Sequence, residues 1–143
     1  MDHEKYMKLA LVEAEKALQN GEVPVGAIIV CNNKIIAKAH NQTEMLNDVT
    51  AHAEILAITS AANYLNSKYL VDCSIYVSLE PCIMCAGALA WSQISNVIFG
   101  AYDPIRGFTN FEKNILHPKT TVKGGILAEE CSQIIKEFFK EKR

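Results

Sequence analysis

The sequence predicts an α/β domain in which a mixed sheet carries helices on both faces. Three observations lead there. The apolar runs at 25–31 and 96–101 have the composition of strands buried on both sides, as happens when helices cover both faces of a sheet. Asn32-Asn33-Lys34, between the first run and residues 35–40, marks a hairpin turn, so at least one strand pair is antiparallel. Beyond the hairpin, helical and strand patterns alternate.

In chain order, residues 3–19 carry an apolar stripe (Tyr6, Leu9, Ala10, Val12, Ala17, Leu18), with Asp2 to cap the start and Asn20-Gly21 to stop the helix. Glu22-Val23-Pro24 is a connector into the first strand. A polar loop at 41–49 follows the hairpin. The next helix is expected at about 51–64, capped by Thr50. Residues 74–79 alternate as a central strand, and Pro81 suits the first turn of a helix at about 82–91. Residues 102–119 read as loop, with one short helical turn near 111–116. Residues 120–124 can form a last strand, and 128–142 a helix with Cys131, Ile134, Ile135, Phe138 and Phe139 on one side. The expectation is five strands.

With 143 residues, half of them apolar and 21% charged, the chain fits a single globular domain, 1–143, that closes its core without disulfides. A net charge of -2 provides no global attraction for nucleic acid, though it leaves room for a local basic patch. The absence of a long apolar run, and the N-terminal sequence Met1-Asp2-His3-Glu4-Lys5, point to a cytoplasmic protein with reduced thiols and no membrane partner. Five cysteines, an odd number, argue against a disulfide framework. Cys31, Cys73 and Cys131 read as small buried hydrophobes. Cys82 and Cys85 are the close pair.

The chemistry is concentrated at two helix starts. Cys82 and Cys85 are three residues apart, near enough on a helix to share a metal, and a helix N-terminus favours their thiolate forms. Taken alone, the pair also suits a redox motif or half of a structural zinc site. No second Cys or His pair at close spacing completes a four-ligand site. His52 is the natural third ligand, and three ligands with an open position describe a catalytic zinc. Glu54 stands two residues from His52, a spacing that does not share a helical face.

His52-Ala53-Glu54 followed by Pro81-Cys82-Ile83-Met84-Cys85 matches the H-x-E and P-C-x-x-C signature of zinc deaminases. The chain resembles the zinc-dependent nucleoside and nucleobase deaminase superfamily, and within it the bacterial tRNA-specific adenosine deaminases. Further matching pieces are Glu22-Val23-Pro24-Val25-Gly26-Ala27, His40-Asn41, residues 48–54, 76–88 and 97–101, Asp103, and the Cys131 helix ending in Phe138-Phe139. The resemblance implies a three-layer, cytidine-deaminase-like fold with a five-stranded mixed sheet. It implies zinc held by His52, Cys82 and Cys85, with Glu54 carrying protons between the attacking water, the ring and the departing ammonia. It also implies that Asn41 hydrogen-bonds the flipped base, Asp103 contacts the backbone sugar, and Ala53, Leu79 and Val25 line the base pocket. The expected partners are a tRNA anticodon stem-loop and a second copy of the chain, paired through the flank at 89–94. The basic cluster Lys136, Lys140, Lys142 and Arg143 could meet RNA or simply solvate a helix end.

Two alternatives stay open. One is a guanine deaminase, or another enzyme of free bases or nucleosides. Trp91 resembles an aromatic that guanine deaminases often carry, but Ser78-Leu79-Glu80 lacks the cysteine usual before their motif glutamate. The other is a zinc-stabilised binding module without catalysis, which would have no use for Glu54.

Overall fold

The structure, a computed structural model, describes residues 2–142. The elements are α1 (His3–Gln19), β1 (Gly26–Cys31), β2 (Lys34–His40), α2 (Ala53–Leu65), β3 (Cys73–Leu79), α3 (Ile83–Ser92), β4 (Asn96–Ala101), β5 (Thr121–Lys123) and α4 (Ala128–Glu141). The strand order is β2-β1-β3-β4-β5. β1 runs antiparallel to β2 and β3, whereas β3, β4 and β5 are parallel. This is the five-stranded mixed sheet that the sequence predicts.

Local chemistry explains the element ends. The Asp2 carboxylate accepts from the Lys5 N–H and caps α1, and Gly21 at φ 74° turns the chain out of the helix. Asn32 and Asn33 both take positive φ, 51° and 62°, the geometry of a two-residue hairpin turn. At Gly26, an added Cβ would lie 2.0 Å from the Ala10 carbonyl oxygen, so glycine is what lets α1 lie directly on β1.

The sheet separates two apolar layers. On one face α2 and α3 cover Ala27, Ile29, Ile75, Val77, Val97 and Phe99. On the other, Tyr6, Met7 and Ala10 of α1 and Cys131 of α4 cover Ile28, Val30, Tyr76 and Ile98. The central strands β1, β3 and β4 are therefore buried on both sides, which is why β1 and β4 read as apolar runs.

Two expectations are corrected. Thr50 does not cap α2: its hydroxyl and N–H both donate to Asp48 Oδ1, and the helix begins later, with His52 in the cap position. The short helical turn lies at Phe108–Asn110, not 111–116, because Thr109 donates from its N–H and its hydroxyl to the buried Glu80 carboxylate. Of the flank at 89–94, Leu89 and Ile94 are buried in the core, and Trp91 is the large apolar side chain that stands outside. The apolar side chains that α3 leaves outside are Ile83, Met84 and Trp91. Among the described residues no helix is long and apolar enough to cross a membrane.

Candidate active site

β1 begins, and β3 and β4 end, at one edge of the sheet, where α2 and α3 also start. A cavity of about 550 Å³ opens there. His52 and Cys82 occupy the cap positions of the two helices in extended conformation, with ψ of 154° and 173°. Cys85 and Glu54 follow within the first turns of α3 and α2. His52 thus precedes the helical part of the chain, and the 100° spacing that would keep it away from Glu54 does not apply to it.

His52 Nδ1 lies 3.7 Å from Cys82 Sγ and 3.5 Å from Cys85 Sγ. A tetrahedral ion with ordinary Zn–N and Zn–S bonds places such donors about 3.6 Å apart. The donor atoms of all three residues fall within 4.8 Å of one another, so the group could hold a metal ion. The histidine presents Nδ1 to this position.

The three side chains share protons as they stand. Donation from the Cys85 thiol, assisted by the His52 ring, pulls the Cys82 thiol down to about 4 against the opposing effect of burial. The hydrogen bond to Cys82 and burial push the Cys85 thiol well up, and the contact with Cys82 raises His52. These opposite shifts favour a thiolate on Cys82 and a thiol on Cys85 in the metal-free group.

Glu54 is 4% exposed, and burial pushes its carboxyl up to about 7, against the pull of its own backbone N–H and of His52. Such a group changes protonation near neutral pH, as a proton carrier must.

Asn41 closes the other wall. Its Nδ2 donates to the Val23 carbonyl at 3.2 Å and its backbone N–H to the Val25 carbonyl at 3.0 Å. Its Oδ1, buried beside the cavity, has no hydrogen-bond partner among the described residues. An unpaired buried acceptor is costly, and a donor from a bound molecule would relieve it. Val25, Ala53 and Leu79 all line the cavity, as does Asp103. Asp103 also holds its own loop, its Oδ1 accepting from the N–H groups of Ile105 and Arg106 at 3.0 Å.

Sequence reasoning assigned no role to two buried glutamates. Glu80 accepts from the Asp103 N–H at 2.9 Å and from Thr109, shaping the loop that forms the cavity's outer wall. Glu22, 1% exposed, accepts from the N–H groups of Glu44 and Met45 and from the Thr43 hydroxyl, fixing the loop after Asn41. An acid placed directly after a buried strand, as Glu80 is, was the available signal. α4 contributes Ser132, Ile135, Lys136 and Phe139 to the far end of the cavity. Of the basic cluster, Lys136 reaches it, Lys142 lies over the Phe138 ring, and Arg143 lies outside the described residues.

A family model described as MafB19-like deaminase matches residues 1–143. The chain belongs to the MafB19-like deaminase family. It is 51% identical to a tRNA-specific adenosine deaminase of Aquifex aeolicus, over 100% of this chain and 97% of that protein. A solved structure from a study of A-to-I editing by tRNA:A34 deaminases at the wobble position of transfer RNA superposes with a TM-score of 0.86. That structure is 40% identical and covers 91% of this chain and 98% of its own. A guanine deaminase of Bacillus subtilis is also 40% identical, but it covers 71% of this chain and 66% of its own, with a TM-score of 0.68. The fold is that of the cytidine-deaminase-like enzymes.

Proposed function

We propose that this chain is a zinc-dependent aminohydrolase that converts adenosine at the wobble position of tRNA to inosine. The observation that carries the chemistry is Glu54, a buried carboxyl poised near 7 beside His52, Cys82 and Cys85. His52 Nδ1 and the two sulfurs would hold the ion, and soft thiolates with one imidazole suit zinc. Bound there, zinc supplies Lewis acidity that brings the pKa of a water toward ~7.

Glu54 takes a proton from the attacking water and passes it to the ring nitrogen. It then takes the remaining proton of the added hydroxyl and delivers it to the amino group, which leaves as ammonia as that oxygen becomes the ring carbonyl. Backbone N–H groups at the start of α3 support the charge that develops on the way. Asn41 Oδ1 accepts from the target nucleotide, Val25, Ala53 and Leu79 enclose the base, and Asp103 meets the sugar. Glu54 also argues against a purely structural zinc module, which needs no buried acid.

The full-length likeness to the Aquifex relative supports RNA as substrate, and so does the cavity's extent. It continues past Tyr102 and Arg106 to Lys136 and Phe139, a charged and aromatic rim that suits flanking nucleotides and that a free base does not need. The second reading, a guanine deaminase, has the partial likeness to the Bacillus subtilis enzyme in its favour. Trp91 does not add to it, since that ring is 86% exposed on the outside of α3 and does not line the cavity. Two copies are expected to pair through the strip Ile83, Met84 and Trp91, and the cytoplasm is the expected location.

The test is a competition. Purified enzyme receives an anticodon stem-loop with a wobble adenosine, free guanine, and cytidine, and the products are separated. Inosine in the RNA is the expected result. Xanthine without inosine would replace this reading by the second.

A further inference from the structure

Two cysteines that the proposed reaction does not use, Cys31 and Cys73, end β1 and begin β3 directly opposite each other. The two-residue turn after Cys31 closes on a pair, Cys31 and Lys34, that exchange their ladder hydrogen bonds. The backbone polar groups of Cys31 therefore point toward β2 and away from β3. Those of Cys73 are engaged elsewhere: its N–H donates to the Leu70 carbonyl, and its carbonyl accepts from the Ser95 N–H, both at 3.1 Å. Across β1 and β3 the two cysteines thus form a non-hydrogen-bonded antiparallel pair. At such positions the Cα atoms approach to about 4.5 Å and the side chains come closest. Disulfides span Cα separations of about 4.4–6.8 Å.

Both side chains lie on the sheet face that α2 covers, Cys73 within that core and Cys31 packed against it. Cys73 is fully buried, and burial together with its hydrogen bond to Cys31 pushes its thiol up to about 12. Opposite residues of an antiparallel pair project to the same face of the sheet, so the two side chains are neighbours. Cys31, partly exposed beside the hairpin, is the one that solvent reaches.

We propose that Cys31 and Cys73 are an oxidisable dithiol, which closes into a cross-strand disulfide by exchange with a low-molecular-weight disulfide of the glutathione class. The Cys31 thiolate attacks one sulfur of the small disulfide, expelling one small thiolate and leaving a mixed disulfide on Cys31. Cys73 then gives up its proton and attacks Cys31 Sγ. The Cys31–Cys73 bond forms as the second small thiolate leaves. The protein loses two hydrogens, and the small disulfide is reduced to two thiols.

The segment between the two cysteines carries Asn41, His52 and Glu54. The bond would tie this segment to the central strand without involving Cys82 or Cys85, so it holds the helix start in place when metal is lost.

Metal-loaded protein is equilibrated with oxidised glutathione, its remaining thiols are alkylated, and the digest is mapped. The expected product is one cross-linked peptide joining Cys31 to Cys73. The Cys73→Ala variant should stall with glutathione on Cys31, and the Cys31→Ala variant should acquire none on Cys73. After chelation, the cross-linked form should melt on the order of 5–10 °C above the reduced form. Alkylation of both cysteines in excess oxidised glutathione, a cross-link mapping to Cys82 and Cys85, or an unmodified Cys73→Ala variant would each overturn the proposal. The wild-type map decides it even where a variant folds poorly.

Discussion

Gly107 packs so closely on Glu80 that an added Cβ would lie 2.2 Å from the carboxyl carbon and one of its oxygens. The carboxylate has no room to retreat, being 3% exposed and held by Asp103 and Thr109. Gly107 also bridges to Cys82, and the Phe108 N–H donates to the Pro81 carbonyl at 3.0 Å. One buried acid therefore joins the segment that carries a proposed metal ligand to the loop that walls the cavity.

The Gly107→Ala variant is expected to lose about 1–3 kcal/mol of stability, as overpacking in a filled interior does. It should also lower kcat/KM by about 10–100-fold through displacement of the 103–109 loop. Denaturant unfolding and steady-state kinetics on the stem-loop check both. Unchanged values for both would mean that the contact is softer than it looks.

Glu54→Gln should keep its metal and lose about 10²–10⁴-fold or more in turnover, the range of general acid–base catalysis. Metal content and single-turnover rates are the measurements. Turnover at the wild-type rate would remove Glu54 from the proton path.

The same residue makes a pH prediction for the metal-free protein. Its carboxyl is raised from the ordinary 4.5 to about 7 in the folded state, so between these values the folded form binds more protons than the unfolded one. The contribution of Glu54 to stability is complete below about 4.5 and is lost as pH rises through about 7, on the order of 3 kcal/mol in all. Relative to wild type, the metal-free Glu54→Gln variant should therefore gain stability on going from pH 5 to pH 8. Parallel unfolding curves for the two proteins would contradict this.

Asn41→Ala removes an acceptor that makes no bond in the free protein. Its loss should cost little more than the Nδ2 bond to Val23, about 1 kcal/mol of stability. Binding should suffer more, with kcat/KM down about 10–100-fold, mostly in KM. An equal loss in kcat and none in KM would point to a role in the chemical step instead.

Cys82→Ala is expected to lose metal and thermal stability together, and a chelator should produce the same shift in wild type but little in the variant. Full metal occupancy in the variant would take Cys82 out of the ligand set.

Trp91→Glu places a charge on the exposed strip of α3, where Ile83 and Trp91 are 51% and 86% exposed. Sedimentation should show dimers giving way to monomers. An unchanged mass would move any pairing surface elsewhere.

The sequence alone determined the sheet, the two helices that carry the site and the residue types of the site. Buried strands must be apolar on both faces, turns need residues that tolerate positive φ, and a soft metal needs sulfur and imidazole; each requirement is local and leaves a mark at a few adjacent positions. What it could not show depends on contacts between distant segments. That His52 sits in an extended cap, so that its spacing to Glu54 is not helical, follows from Asp48 holding Thr50. The anchoring roles of Glu22 and Glu80 depend on backbone N–H groups about twenty residues away, which carry no side-chain signature. Leu89 and Trp91 are equally apolar in the sequence, and only the packed sheet decides which of them is covered. The facing of Cys31 and Cys73 is likewise a matter of strand register, which two separated cysteines in a chain do not reveal.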